Sequence, residues 1–260
     1  MSDPAYDADE IMTVAAARQL KNGMVCFVGI GLPSAAANLA RLSHAPDVVL
    51  IYESGTIGAK PDLLPLSIGD GELSETALSV VSVPEMFRYW LQGDRIDVGF
   101  LGAAQIDRFA NINTTVIGEY ARPKTRLPGA GGAPEIATSA REIFVMLRMT
   151  PRAFVGKLDF VTSLGHGSGS KSRARSGAHG RGPTRVITDL GILEPNPESR
   201  ELRLTSLHPG VRLADVEAAC GWKLARAAEL AETPAPTAGE LAALRDFKSR
   251  TAAAGAGRPR

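Results

Sequence analysis

Cysteine is scarce. The 260 residues contain two, Cys26 and Cys220. Neither has a second cysteine at metal-ligand spacing, so no metal site is expected. Cys26 lies in the apolar run 24–28 and reads as a small buried thiol. Net charge is nearly absent too, at +1, which removes the electrostatic case for binding nucleic acid. No apolar run approaches the ~20 residues needed to cross a bilayer. The opening MSDPAYDADE is acidic and polar, unlike a secretory signal or transit peptide. A cytoplasmic, soluble protein with no membrane association is expected.

What is present is ordinary globular material, 44% hydrophobic and 22% charged. The 27 glycines fall largely in short turns after apolar runs, where tight strand-to-helix connections would sit. No linker divides the chain. The expected organisation is one domain over residues 8–248, with an Ala/Gly-rich disordered tail at 249–260 and fraying at 1–7.

Apolar runs at 24–28, 47–52 and 96–104 are short enough to be buried strands. Helices are expected over 9–21, from Pro33 onward, and from Pro84 with Met86, Phe87, Trp90 and Leu91 on one face. Further strands are expected at 142–147, 158–162, 185–189 and 202–205. Thr237 and Glu240 form a capping-box pair that opens a last helix carrying Leu241 and Leu244. Strands alternating with helices predict an α/β fold, a mostly parallel sheet with helices on both faces. The stretch 166–183, HGSGSKSRARSGAHGRGP, has no large apolar residue and reads as a mobile, solvated surface loop.

Three clusters could carry chemistry. Glu53, in Glu53-Ser54-Gly55, ends the second apolar run, and open α/β sheets place ligands at the carboxyl ends of their strands. Apolar surroundings strip part of a carboxylate's hydration, which favours it as a nucleophile; a strand-end Glu can equally cap a helix or pair with an Arg. Residues 101–115 are rich in carboxamides, including Gln105, Asn111 and Asn113. These can donate to an oxyanion or build Asx turns. Successive glycines at 129–132 let backbone N–H groups converge on one point, or form a plain turn. Gly29-Ile30-Gly31 makes a strand-to-helix turn but lacks the third glycine of a dinucleotide fingerprint.

The Glu-Ser-Gly motif, GAAQIDRFANINTT and GAGGAPEIA, together with KNGMVCFVGIGLPSAAANLARL, VTSLGHG and VITDLGILEP, resemble the B subunits of family I CoA-transferases from Met12 to about Leu244. The resemblance implies the fold of that family and a ping-pong reaction with Glu53 as covalent nucleophile. It implies an oxyanion site of Asn113, Gly131 and Gly132, with Gly29, Gly31 and Gln105 near the substrate. Implied substrates are succinyl-CoA and 3-oxoadipate; a glutaconate-type transferase, or a hydrolase of acyl-CoA or ring substrates, is the alternative. No cofactor is implied beyond the CoA thioester as substrate, and the implied partner is an A subunit. A dicarboxylate acceptor needs cationic or backbone donors for its remote carboxylate. Arg122, Lys124 and Arg126 are candidates, against the bland reading of a solvated basic turn. Residues 170–181 depart from the family pattern; this basic stretch reads as solvated, with attraction of the phosphates of CoA as the alternative, and His166 is expected to position that loop.

Overall fold

The computed structural model describes residues 6–256. α1 (Ala8–Ala17) opens on a capping box. The Asp7 carboxylate accepts from the Glu10 N–H at 2.8 Å, and the Glu10 carboxylate accepts from the Asp7 N–H at 3.0 Å. Asp7, expected to fray, is therefore held; residues 1–5 lie outside the described residues. β1 (Val25–Phe27) turns through Gly31, at φ 86°, into α2 (Leu32–Leu42), with Pro33 in the first turn. There follow β2 (Val49–Ile51), β3 (Thr56–Ile57), α3 (Gly71–Glu75) and β4 (Ser79–Val80). α4 (Val83–Glu85) runs directly into a π-helical segment, Met86–Leu91.

β5 (Val98–Gly102) leads to two small hairpins. β6 (Gln105–Ile106) pairs with β7 (Ile112–Asn113), and β8 (Val116–Glu119) pairs with β9 (Arg122–Arg126). Then come α5 (Ala133–Ser139), β10 (Glu142–Met146), α6 (Ser172–Arg175), β11 (Pro183–Ile187) and β12 (Gly191–Pro195). The chain continues through β13 (Leu202–Leu207), α7 (Leu213–Ala219), β14 (Ala225–Glu232) and α8 (Ala238–Ala256).

Ten strands form one sheet in the order β14-β13-β12-β11-β10-β5-β1-β2-β3-β4. The central run β11-β10-β5-β1-β2 is parallel throughout. Antiparallel strands flank it on both sides, β12 beside β11 and β3 beside β2. Successive strand residues point to opposite faces. Cys26, Leu50, Phe144 and Ile187 pack with Met12, Leu39 and Leu244 from α1, α2 and α8. Their neighbours Phe27, Ile51, Val145 and Val186 pack with Met86, Leu91, Ile136 and Val216 on the other side. Helices thus cover both faces, as the alternation of elements implies. Among the described residues, no helix is long and apolar enough to cross a membrane.

Several local expectations are corrected. Residues 158–162 form no strand. Neighbouring residues make isolated bridges, Phe154 with Ile106 and Ser163 with Ile112. The Asp159 carboxylate fixes the segment by accepting from Gln105 Nε2 at 2.9 Å and from the Gly118 N–H at 3.1 Å. β12 and β14 were not expected. β14, ARAAELAE, has no β-branched or aromatic residue to announce it. The stretch 166–183 is not a featureless loop, because it folds around the buried side chain of Arg173. Residues 249–256, expected as a disordered tail, continue α8. The Ala-rich sequence favours helix, and Thr251 Oγ1 accepts from the Leu64 N–H at 2.8 Å. Residues 257–260 lie outside the described residues.

Candidate active site

The parallel strands end together on one side of the sheet, and the turns that leave them enclose a cavity of about 400 Å³. Gly29 and Ile30 line it after β1, Glu53 after β2, Leu101 and Gly102 at the end of β5, and Met146 at the end of β10. Ala130, Gly131 and Gly132 close it from the segment before α5. This is where an open α/β sheet places its ligand.

Glu53 reaches the cavity through a tight turn. The Gly55 N–H donates to Tyr52 O at 2.9 Å, and the Tyr52 N–H donates to Thr56 O at 3.1 Å. Gly55 has φ 100°, and a Cβ there would lie 2.0 Å from Val81 O. No other residue fits without moving the backbone. Before the turn, Tyr52 anchors the strand end in the core. Its hydroxyl lies 3.1 Å from Ser34 Oγ and 3.3 Å from Asn38 Nδ2, and burial pushes its pKa up.

The Glu53 carboxylate makes no hydrogen bond or ion pair with any described residue. The readings in which it caps a helix or pairs with an Arg are not realised. It is half-buried and faces the glycine segment. A Cβ on Gly132 would stand 2.9 Å from Glu53 Oε1 and 2.6 Å from Phe87 Cζ. Gly131, at φ 49°, is next to it, with its own Cβ position 3.9 Å from the same oxygen. Glycine is therefore what lets the carboxylate, the backbone and the Phe87 ring share this space. Sequence reasoning assigned Phe87 only to a helix face. The π-helical segment that turns it toward Glu53 has no signature in the residues themselves.

The carboxamide cluster does something else. Asn113 is fully buried. Both its Nδ2 hydrogens are taken, by Gln105 Oε1 and Val116 O at 2.7 Å each. Its Oδ1 accepts from the Thr115 N–H at 2.9 Å. A carboxamide with both hydrogens engaged has none to offer an oxyanion. Gln105 Nε2 is committed to Asp159. Asn111 Oδ1 accepts from the N–H groups of Gly165 and Gly167, bracing one loop against another. Neither Asn113 nor Gln105 lines the cavity. Gly29 does, and Gly31 borders an adjacent cleft with Leu64 and Leu66. Arg122, Lys124 and Arg126 stand exposed on β9, outside the cavity. The Arg126 guanidinium lies 4.7 Å over the Tyr120 ring and donates to Tyr120 O.

His166 braces its loop from both ends. Its N–H donates to Phe109 O at 2.8 Å, and Nε2 donates to Pro183 O at 2.7 Å.

The structure thus sets an unpaired carboxylate against a glycine segment at the carboxyl ends of parallel strands, where a nucleophile for acyl transfer could act. Comparison with known proteins narrows that class. Residues 9–219 match the coenzyme A transferase family, and the chain belongs to it. It is 65% identical over 250 residues to the B subunit of the 3-oxoadipate CoA-transferase of Pseudomonas knackmussii, covering 96% of each chain. It is 38% identical to the B subunit of the glutaconate CoA-transferase of Acidaminococcus fermentans, covering 89% of each. The crystal structure of that organism's glutaconate coenzyme A-transferase superposes with a TM-score of 0.87 at 34% identity, covering 93% of this chain and 94% of the other.

Proposed function

We propose that this chain is the glutamate-bearing subunit of a cytoplasmic, two-subunit enzyme that transfers CoA from succinyl-CoA to 3-oxoadipate. The observation that carries the chemistry is the unpartnered Glu53 carboxylate against Gly131 and Gly132. The substrates and the second subunit are read from the 65% identical relative. No cofactor is required beyond the CoA thioester itself.

The reaction balances without a proton. A Glu53 carboxylate oxygen attacks the thioester carbonyl, the C–S bond breaks, and CoA thiolate leaves an acyl-glutamyl anhydride. The thiolate then attacks the glutamyl carbonyl. The anhydride C–O bond breaks, succinate departs, and CoA is held as a glutamyl thioester. The acceptor carboxylate repeats both steps in reverse and leaves as its CoA ester, restoring Glu53. Each tetrahedral intermediate carries an oxyanion, for which the Gly131–Gly132 backbone supplies donors. One well-placed donor contributes about 3–4 kcal/mol.

The test is to trap the thioester. The assembled enzyme is incubated with succinyl-CoA, reduced with borohydride, and mapped by peptide mass spectrometry. The modification is expected on Glu53, and Glu53→Gln should lower turnover at least ~1,000-fold. A label on another residue, or near-normal turnover in the variant, would overturn the assignment.

A further inference from the structure

The stretch 166–183 encloses a second cavity of about 290 Å³, with His166, Ser170, Arg173, Arg181 and Arg200 in its wall. α5 separates it from the first. Gly132, just before α5, touches the Glu53 side, while the carbonyl of Ala137 within α5 faces Arg173.

Arg173 is 6% exposed. Its guanidinium donates to five carbonyls: Gly180 from Nε, Leu164 and Gly165 from Nη1, and Ala137 and His179 from Nη2, the last two at 2.7 and 2.6 Å. No described carboxylate pairs with it. Burial lowers its pKa to about 10, so it stays charged at neutral pH. The fold has thus fixed a buried positive charge without a counterion, an arrangement that is costly unless an anion approaches.

Donors are at hand. The side chain of Arg200 makes no hydrogen bond or ion pair with any described residue, nor does the Ser170 hydroxyl. Arg181 is exposed and shares Glu142 at 3.1 Å. The backbone is strained at the same place. Ser170 at φ 45° and Arg200 at φ 64° are two of the few described non-glycine residues in the left-handed region. The Ser170 N–H donates to Ser199 O at 2.8 Å, linking the two turns. Such strain gathers at ligand clamps.

His166 refines the choice of anion. Its Nε2 carries the hydrogen, since the Pro183 carbonyl can only accept. Burial holds the ring neutral, with its pKa pushed down to about 4 and the charges of Arg173 and Arg200 adding to the effect. Nδ1 is left as an acceptor to which no described residue donates. A carboxylate has no hydrogen for it, whereas inorganic phosphate near neutral pH carries both charge and a hydroxyl, and a phosphate monoester carries a hydroxyl in its singly charged form.

We propose that this cavity binds a phosphate group, with Arg200, Arg181 and Ser170 donating to its oxygens, Arg173 supplying fixed charge and His166 Nδ1 accepting from its hydroxyl. The phosphate can come from the 3′-phosphate of CoA or from free inorganic phosphate.

The test uses the assembled enzyme in phosphate-free buffer at fixed ionic strength, titrated calorimetrically with inorganic phosphate. Saturable binding is expected, weakened at least about tenfold in Arg200→Asn and within about threefold of wild type in Arg200→Lys. Asn tolerates the left-handed backbone at this position, and an unchanged Tm confirms that the variant is folded. No saturable binding, or equal binding by wild type and Arg200→Asn, would overturn the proposal. A kinetic arm distinguishes the sources, and it alone rests on the proposed reaction. If the 3′-phosphate of CoA is the ligand, removing it from succinyl-CoA raises KM in the wild type and not in Arg200→Asn. If free phosphate is the ligand, both proteins treat the two thioesters alike, while the titration still separates them.

Discussion

A methyl group on residue 132 would stand 2.9 Å from the Glu53 carboxylate and 2.6 Å from Phe87. Both side chains would have to move. On the proposed reaction, Gly132→Ala is therefore expected to lower kcat by about 100–1,000-fold, the range for a lost oxyanion donor, with KM changed much less. Steady-state kinetics on the assembled enzyme checks this. Asn113→Ala makes the opposite expectation. Its carboxamide hydrogens go to Gln105 and Val116 inside the fold. Removing them leaves buried acceptors unpaired, at a cost of about 1–3 kcal/mol. Urea unfolding should show that loss. A large kcat defect at unchanged stability would instead return Asn113 to the oxyanion. The two residues were equally conspicuous in the sequence. What separates them is hydrogen-bond saturation, which only the packed structure reveals.

Elements read well where one physical cause dominates. Four of the five central strands, β1, β2, β5 and β10, are short, largely apolar and buried runs, and the capping box of α8 is local side-chain chemistry. Both are legible from residue order alone. β14 and the helical end of α8 are not, because pairing with β13 and contact with the 63–64 segment decide them. The loop at 166–183 misleads for a related reason. Composition marks its arginines as solvated, yet five carbonyls brought together by the fold enclose one of them. α8 also offers a pH test. The Glu240 carboxylate is partly desolvated, which alone would raise its pKa. Bonds from Arg18 and Thr237 outweigh this and bring it to about 2. Its unfolded value is about 4.3. The stabilisation is therefore complete above the unfolded value and lost as pH falls toward the folded one. Glu240→Gln should cost about 1–2 kcal/mol near neutral pH. The gap from wild type should close between about pH 4 and 2, as denaturant midpoints measured across that range would show. A gap independent of pH would mean that shape, not charge, links α8 to α1.

At the scale of the whole molecule, the position of Glu53 bears on assembly. The carboxylate is half-buried in a cavity formed by one chain, with Ile68 at its wall 40% exposed. An acyl-glutamyl anhydride and a glutamyl thioester both hydrolyse if water reaches them, so productive transfer requires water to be excluded. The purified single chain is expected to show no CoA transfer, with activity appearing on addition of the A subunit. Robust turnover by the single chain would refute the two-subunit reading. The assembled enzyme then tests the acceptor. Comparing kcat/KM for 3-oxoadipate, glutaconate, acetoacetate and acetate should place 3-oxoadipate first. Single alanine variants of Arg122, Lys124 and Arg126 add a second reading. These cations lie outside the cavity of this chain, on the strand that leads into the glycine segment. If one of them meets the remote carboxylate of the acceptor once the subunits join, its removal penalises dicarboxylates far more than monocarboxylates. An unchanged preference in all three variants removes that strand from the site. A wild-type preference for glutaconate would replace 3-oxoadipate as the acceptor and leave the proposed Glu53 chemistry standing, because that chemistry needs only an acyl-CoA whose carbonyl can reach the carboxylate.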